Sequence, residues 1–168
     1  MREASKTRKS KETNITVKLN IDGSGESKIN SGIGFLDHML ELFAFWGHFD
    51  LVVTTNEADL KVDIHHTNED LGIVLGQAFK EALGDKVGIN RIGDALVPME
   101  EVTASVSLDI SGRGSLKVDP NAELIPQEEH GYNFVYAKHF FESFAKQLGM
   151  NLNIKIENIS SDLHTTLE

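Results

Sequence analysis

The sequence predicts an α+β fold made of two similar halves, residues 1–86 and 87–168. Three observations predict it. Short stretches of alternating apolar and polar residues, the period of a half-buried strand, are interleaved with longer stretches of helical period. The order strand, strand, helix, strand, helix in the first part of the chain starts again in the second. Two spaced histidine motifs also recur in the same order, in equivalent elements, which is the mark of internal duplication.

The first alternating stretch is 13–21, with Ile15, Val17, Leu19 and Ile21 on one side and an Asp22-Gly23 turn at its end. A short partner at 27–29 is expected to complete a hairpin with it. Residues 35–46 carry a helical pattern that stops at Gly47. Residues 49–55 and 59–64 are expected strands, the second from alternating Leu60, Val62 and Ile64. A helix then spans 71–83, with Gly84 as its C-terminal cap. In the second half, 102–110 alternates and 116–118 follows after a glycine turn. A helix is expected over 132–148, ending at Gly149, and a last strand over 152–156.

Residue types repeat along with the elements. His38-x-x-Glu41-x-Phe43-Ala44 recurs as His139-x-x-Glu142-x-Phe144-Ala145. His65-x-Thr67-x-Glu69 recurs as His164-x-Thr166-x-Glu168. The first of these latter motifs leads into the helix 71–83, whereas the second reaches the last residue given. A further helix is therefore expected after Glu168, and the sequence reads as C-terminally truncated.

Composition limits what such a chain does. With 40% apolar and 25% charged residues it has the balance of a globular protein. No apolar run reaches the ~18 residues of a membrane span. The basic start Met1-Arg2-Glu3-Ala4-Ser5-Lys6 leads into no apolar core, unlike a secretory signal. Cysteine is absent, which removes disulfides, thiolate ligands and a cysteine nucleophile and suits a cytoplasmic setting. A net charge of −10 repels nucleic acid, yet two or three converging cations can still hold a small phosphorylated ligand.

Five of the seven histidines, namely His38, His65, His66, His139 and His164, lie in the repeated motifs, and each motif adds a glutamate. Neutral imidazole with carboxylate suits a divalent transition metal, and the lack of thiolate favours an octahedral N/O ion such as Mn²⁺. In a first helical turn His65 and Glu69, at i and i+4, share a face and can bind one ion. His66 points about 100° away, given 3.6 residues per turn, so adjacent histidines tend to serve different ions. Two related metal sites are expected, with ligands from both halves or from neighbouring subunits. His-Glu-x-x-His does not occur, which removes the zincin reading. Glu41 and Glu142 read as surface or packing residues, and His48 and His130 fall outside the motifs.

The segments Gly34-Phe35-Leu36-Asp37-His38-Met39-Leu40 and Asp63-Ile64-His65-His66-Thr67-Asn68-Glu69-Asp70 resemble signature segments of the imidazoleglycerol-phosphate dehydratases. Gly88-Ile89-Asn90-Arg91-Ile92-Gly93, Pro98-Met99-Glu100-Glu101 and Asp109-Ile110-Ser111-Gly112-Arg113 are similar as well. So is the opening Arg8-Lys9-Ser10-Lys11-Glu12-Thr13, and the resemblance covers nearly the whole chain. It implies a duplicated α+β unit, each half a roughly four-stranded sheet packed with helices, of the ribosomal protein S5 domain 2-like type. It also implies loss of water from imidazole glycerol phosphate to give imidazole acetol phosphate in histidine biosynthesis. Two Mn²⁺ ions per active site, assembly into trimers and 24-subunit shells, and active sites between subunits come with it.

Carried over by position, the resemblance implies His38, His65, His66, Glu69, His139, His164 and Glu168 as metal ligands. It implies Arg91 and Arg113 on the substrate phosphate, a role suited to a guanidinium fork. Glu12 would meet the substrate near its reacting carbons, and Glu12, Glu69 and Glu168 are the candidate catalytic carboxylates. Two departures stand out. The family's second motif reads His-His-x-x-Glu, whereas Thr165 follows His164 here. Glu100 in place of an aspartate is a milder change, and the second departure is that the helix and Ser/Lys-bearing tail expected after the final glutamate are absent. These departures favour a competing reading, a metal-binding assembly module without turnover.

Overall fold

The fold grows from two hairpins whose strands differ in how much they bury. In the first, β1 (Glu3–Lys9) pairs antiparallel with β2 (Asn14–Asn20), from Glu3 opposite Asn20 to Lys9 opposite Asn14. β2 buries Ile15, Val17 and Leu19 completely or nearly so, as its alternation requires. The computed structural model describes residues 1–120, 122, 128–158 and 162–168. After the hairpin come β3 (Ser27–Asn30), helix α1 (Gly34–Gly47), β4 (Asp50–Glu57) and the long helix α2 (His65–Leu83). The second half begins with β5 (Ile92–Met99), β6 (Val102–Asp109) and β7 (Ser115–Val118). A two-residue ladder, β8 (Glu128–Glu129) with β9 (Tyr132–Asn133), precedes α3 (Phe134–Leu148), β10 (Asn151–Glu157) and the short α4 (Leu163–Leu167).

The strands form two four-stranded mixed sheets, ordered β1-β2-β4-β3 and β5-β6-β10-β7. Position by position the two orders agree. Each holds a hairpin, a third strand antiparallel to it, and a short edge strand parallel to the third. A parallel neighbour needs a crossover, and α1 and α3 supply it in the two sheets. No helix among the described residues is long and apolar enough to cross a membrane.

Three expectations are corrected. Residues 27–29 do not form a hairpin with the first strand; they lie parallel to β4, with Ile29 opposite Val53. The hairpin partner is β1, which escapes periodicity because Glu-Ala-Ser-Lys-Thr-Arg-Lys is an edge strand with no fully buried side chain. Residues 59–64 are not a strand, because their alternation has no face to bury: Leu60 is 39% and Val62 78% exposed. The helix expected over 71–83 instead starts at His65, with the Asp63 carboxylate accepting a hydrogen bond from the His65 backbone N–H at 2.8 Å. β5 was not foreseen either, since its apolar residues Ile92, Leu96 and Val97 are exposed rather than buried.

α2 covers β1 and β2 with Leu71, Val74, Leu75 and Ala78 and packs along α3, so the two halves interlock through helices. The approach is close at Gly72 and Gly76. A Cβ on Gly72 would sit 2.8 Å from the Phe140 carbonyl oxygen, and one on Gly76 would sit 2.7 Å from that of Phe144. Both obstacles are backbone, which cannot swing aside. Gly72→Ala is expected to destabilise the chain by about 1–2 kcal/mol through overpacking, outweighing the helix propensity gained. Chemical denaturation checks this; equal or greater stability would mean that α2 and α3 shift apart at little cost.

Candidate metal centre

Two His₂Glu triads emerge, each drawing on both halves of the chain. In the first, α2 presents His65 and Glu69 one turn apart, with His65 Nε2 3.5 Å from Glu69 Oε2. From α3, His139 brings its ring centroid to 4.9 Å from that of His65. These three side chains line a hollow of about 290 Å³, with Glu142 and Lys146 at its edge. Glu142 pairs with Lys146 at 2.7 Å, which holds its carboxyl below the ordinary range.

In the second triad, α4 presents His164 and Glu168, with His164 Nε2 3.0 Å from Glu168 Oε2. From α1, His38 places its ring centroid 5.1 Å from that of His164. One ligand atom from each of these three residues lies within 4.8 Å of the others. His164 Nδ1 also lies 3.8 Å from a Glu129 oxygen. The local supports are specific. The Asp162 side chain accepts from the His164 N–H at 2.9 Å, as Asp63 does for His65. Beside His38, Asp37 accepts hydrogen bonds from the Ser31 backbone N–H, at 2.9 Å, and the Ser31 hydroxyl, which ties the first turn of α1 to the preceding loop.

His66 goes elsewhere. Its ring is inclined 74° to that of His65, and its Nδ1 lies 3.0 Å from Asp59 Oδ2 and 3.5 Å from Glu12 Oε2. The hydrogen bond to Asp59, then the charge of Glu12, raise its pKa. Asp59→Asn is therefore expected to move the His66 titration to lower pH, as followed by NMR of the ring protons. Because the folded pKa is raised, the stability this pair adds is fully present below the unfolded pKa. It is lost as pH rises through the folded one. An unmoved titration would mean that Asp59 does not hold the ring.

Arg91 is bound to a carboxylate of its own chain. Arg91 forks onto Asp109 with Nε at 2.6 Å and Nη2 at 2.9 Å. That fork, with the charge of Arg113 in a lesser part, holds Asp109 below the usual carboxylate range and raises Arg91. The Arg113 backbone N–H donates to Ser111 Oγ at 3.2 Å.

A divalent cation fits the triads on two grounds. The donors are imidazole and carboxylate, and His139 Nδ1 is buried with no hydrogen-bond partner among the described residues. Such an orphan is costly unless something supplies a partner.

Comparison with known proteins agrees with the geometry. The family profile described as imidazoleglycerol-phosphate dehydratase matches residues 31–168. An imidazoleglycerol-phosphate dehydratase of Maridesulfovibrio salexigens is 49% identical over 156 residues, covering 93% of this chain and 78% of the relative. That of Pelobacter propionicus is 47% identical over 167 residues, covering 99% and 84%. Among solved structures, the Staphylococcus aureus enzyme superposes with a TM-score of 0.83 at 28% identity, covering 98% of this chain and 89% of that one. The Pyrococcus furiosus enzyme gives 0.80 at 33% identity, covering 96% and 84%. The chain belongs to the imidazoleglycerol-phosphate dehydratase family.

Proposed function

We propose that this chain is a hydro-lyase of histidine biosynthesis, acting in the cytoplasm to convert imidazole glycerol phosphate into imidazole acetol phosphate. Family membership and the pair of cross-half triads support the reading most directly. His65, Glu69 and His139 would hold one Mn²⁺, and His38, His164 and Glu168 a second. His66, turned away from its own triad, is a ligand for a site completed by another copy of the chain. Such sharing requires an oligomer, for which the family resemblance suggests trimers and larger shells, and we place the division between the two repeats near residue 86.

When bound, the cations supply Lewis acidity and a template for the imidazole ring of the substrate. The chain's own groups do the rest. Arg91 and Arg113 bind the phosphate, with Asp109 keeping the Arg91 fork in a fixed plane. Dehydration takes a proton from one carbon and lets hydroxide leave the next, so a carboxylate must stand near the reacting carbons. Glu12 is the group we assign to that proton, because it is half exposed and lies beside His66. Glu69 and Glu168 remain primarily ligands in this assignment.

The test strips the purified chain of metal, reloads it with Mn²⁺ and supplies imidazole glycerol phosphate. Metal-dependent formation of imidazole acetol phosphate, read by mass spectrometry, is the expected result. Bound Mn²⁺ without product would instead support a metal-binding assembly module without turnover, the reading that Thr165 favours.

A further inference from the structure

The two metal motifs share one register but not one ligand count. Asp63 accepts from the His65 N–H at 2.8 Å, and Asp162 accepts from the His164 N–H at 2.9 Å. Each histidine then faces a glutamate one turn on, at 3.5 Å in the first motif and 3.0 Å in the second. This common frame puts Thr165 where the first motif has His66. The two side chains behave oppositely. His66 is 46% exposed at its side chain and turned towards Asp59 and Glu12. Thr165 is 7% exposed, and its hydroxyl donates to Asp162 Oδ2 at 2.9 Å.

We infer that this chain binds its two cations unequally, because its motifs provide two triads but only one further imidazole. The inference rests on the metal reading proposed above and deepens it. His66 points away from its own triad, so the triad it completes lies on a second copy. An assembly then has two triads for every His66, whatever its size. Half of the triads reach four protein ligands and the other half stop at three. The three-ligand triads keep an additional position for water or substrate, as an open metal site does. Loss of even an outer-sphere partner weakens metal affinity by about 10–100-fold, so loss of a direct ligand separates the two classes by at least about tenfold. His48 and His130, the histidines outside the motifs, sit exposed on turns and out of this register.

The experiment is a Mn²⁺ titration of the metal-stripped assembly, with free Mn²⁺ read by electron paramagnetic resonance. The wild type is expected to bind one ion per chain tightly and one at least about tenfold more weakly. His66→Thr is expected to convert the tight class into a second weak one. Thr165→His is expected to narrow the gap, and His66→Thr keeps the test decisive should Thr165→His fail to fold at its buried position. Two ions of equal affinity in the wild type, or a tight class unmoved by His66→Thr, would overturn the inference. Failure of the underlying metal reading looks different: no Mn²⁺ bound at all, or a stoichiometry unchanged by both His38→Ala and His139→Ala.

Discussion

Glu12→Gln is expected to leave the chain folded and to cut turnover by at least about 100-fold, the lower bound of what a positioned proton-transfer group contributes. The turn that carries Glu12 does not depend on its carboxylate. Ser10 Oγ accepts from the Glu12 N–H at 3.1 Å and from the Thr13 N–H at 3.0 Å, so one hydroxyl closes the loop. The side chain itself is 52% exposed, and a neutral isostere there should change stability by no more than about 0.5 kcal/mol. The loss should fall on kcat with KM little changed, since the group acts on the proton rather than on the phosphate. Steady-state kinetics beside a thermal melt separates the two effects. A kcat within tenfold of wild type would take the proton away from Glu12 and give it to Glu69 or Glu168.

What periodicity revealed of the fold is what the core touches. β2, β4, β6 and β10 are central strands; buried and accessible residues alternate along β2, β10 and the start of β4, whereas in β6 only Val102 is fully buried and Val106 and Leu108 are half-buried against the core. β1 and β5 are edge strands with little buried on either face, so no hydrophobic period marks them. Residues 59–64 deceived for the converse reason. Leu60, Val62 and Ile64 alternate, yet only Ile64 reaches the core, and the backbone turns instead. The partner of β3 was not legible at all, because a parallel pairing across α1 is long-range and leaves no local signal.

The site was legible where the repeat doubled the signal. His65 with Glu69 and His164 with Glu168 meet as i, i+4 spacing requires, and the divergence of His66 follows from the helical turn. The crossing of halves, His139 to the first motif and His38 to the second, is a tertiary fact that spacing left open. The supporting carboxylates were missed. Asp37, Asp59 and Asp162 each fix a histidine or its helix, but aspartates beside helix starts are common, and only Asp63 and Asp162 repeat at matching offsets. Asp59 lay in a stretch read as strand, which hid its role.

Asp70→Ala should be the most destabilising change of a single polar side chain near the site, by about 2–3 kcal/mol, since it removes two charge-assisted hydrogen bonds. Asp70 is only 8% exposed. One oxygen accepts from Arg8 Nε at 2.7 Å, the other from Thr13 Oγ1 at 2.5 Å. The carboxylate thus ties the second turn of α2, next to Glu69, to the hairpin that carries Glu12. The two bonds do not contribute equally. The Arg8 side chain is 40% exposed and turns to water at little cost, so that pair is screened. Thr13 is fully buried, and without Asp70 its hydroxyl keeps only the longer contact with Ser10 Oγ at 3.2 Å. Melting should fall by roughly 5–10 °C for a chain of this size. Double-mutant cycles of Asp70→Ala with Thr13→Val and with Arg8→Ala apportion the loss, and the larger coupling should belong to Thr13. A larger coupling to Arg8 would mean that the ion pair, despite its exposure, is what pins α2 to the hairpin, and that the Glu12 turn is held by charge rather than by a buried hydroxyl.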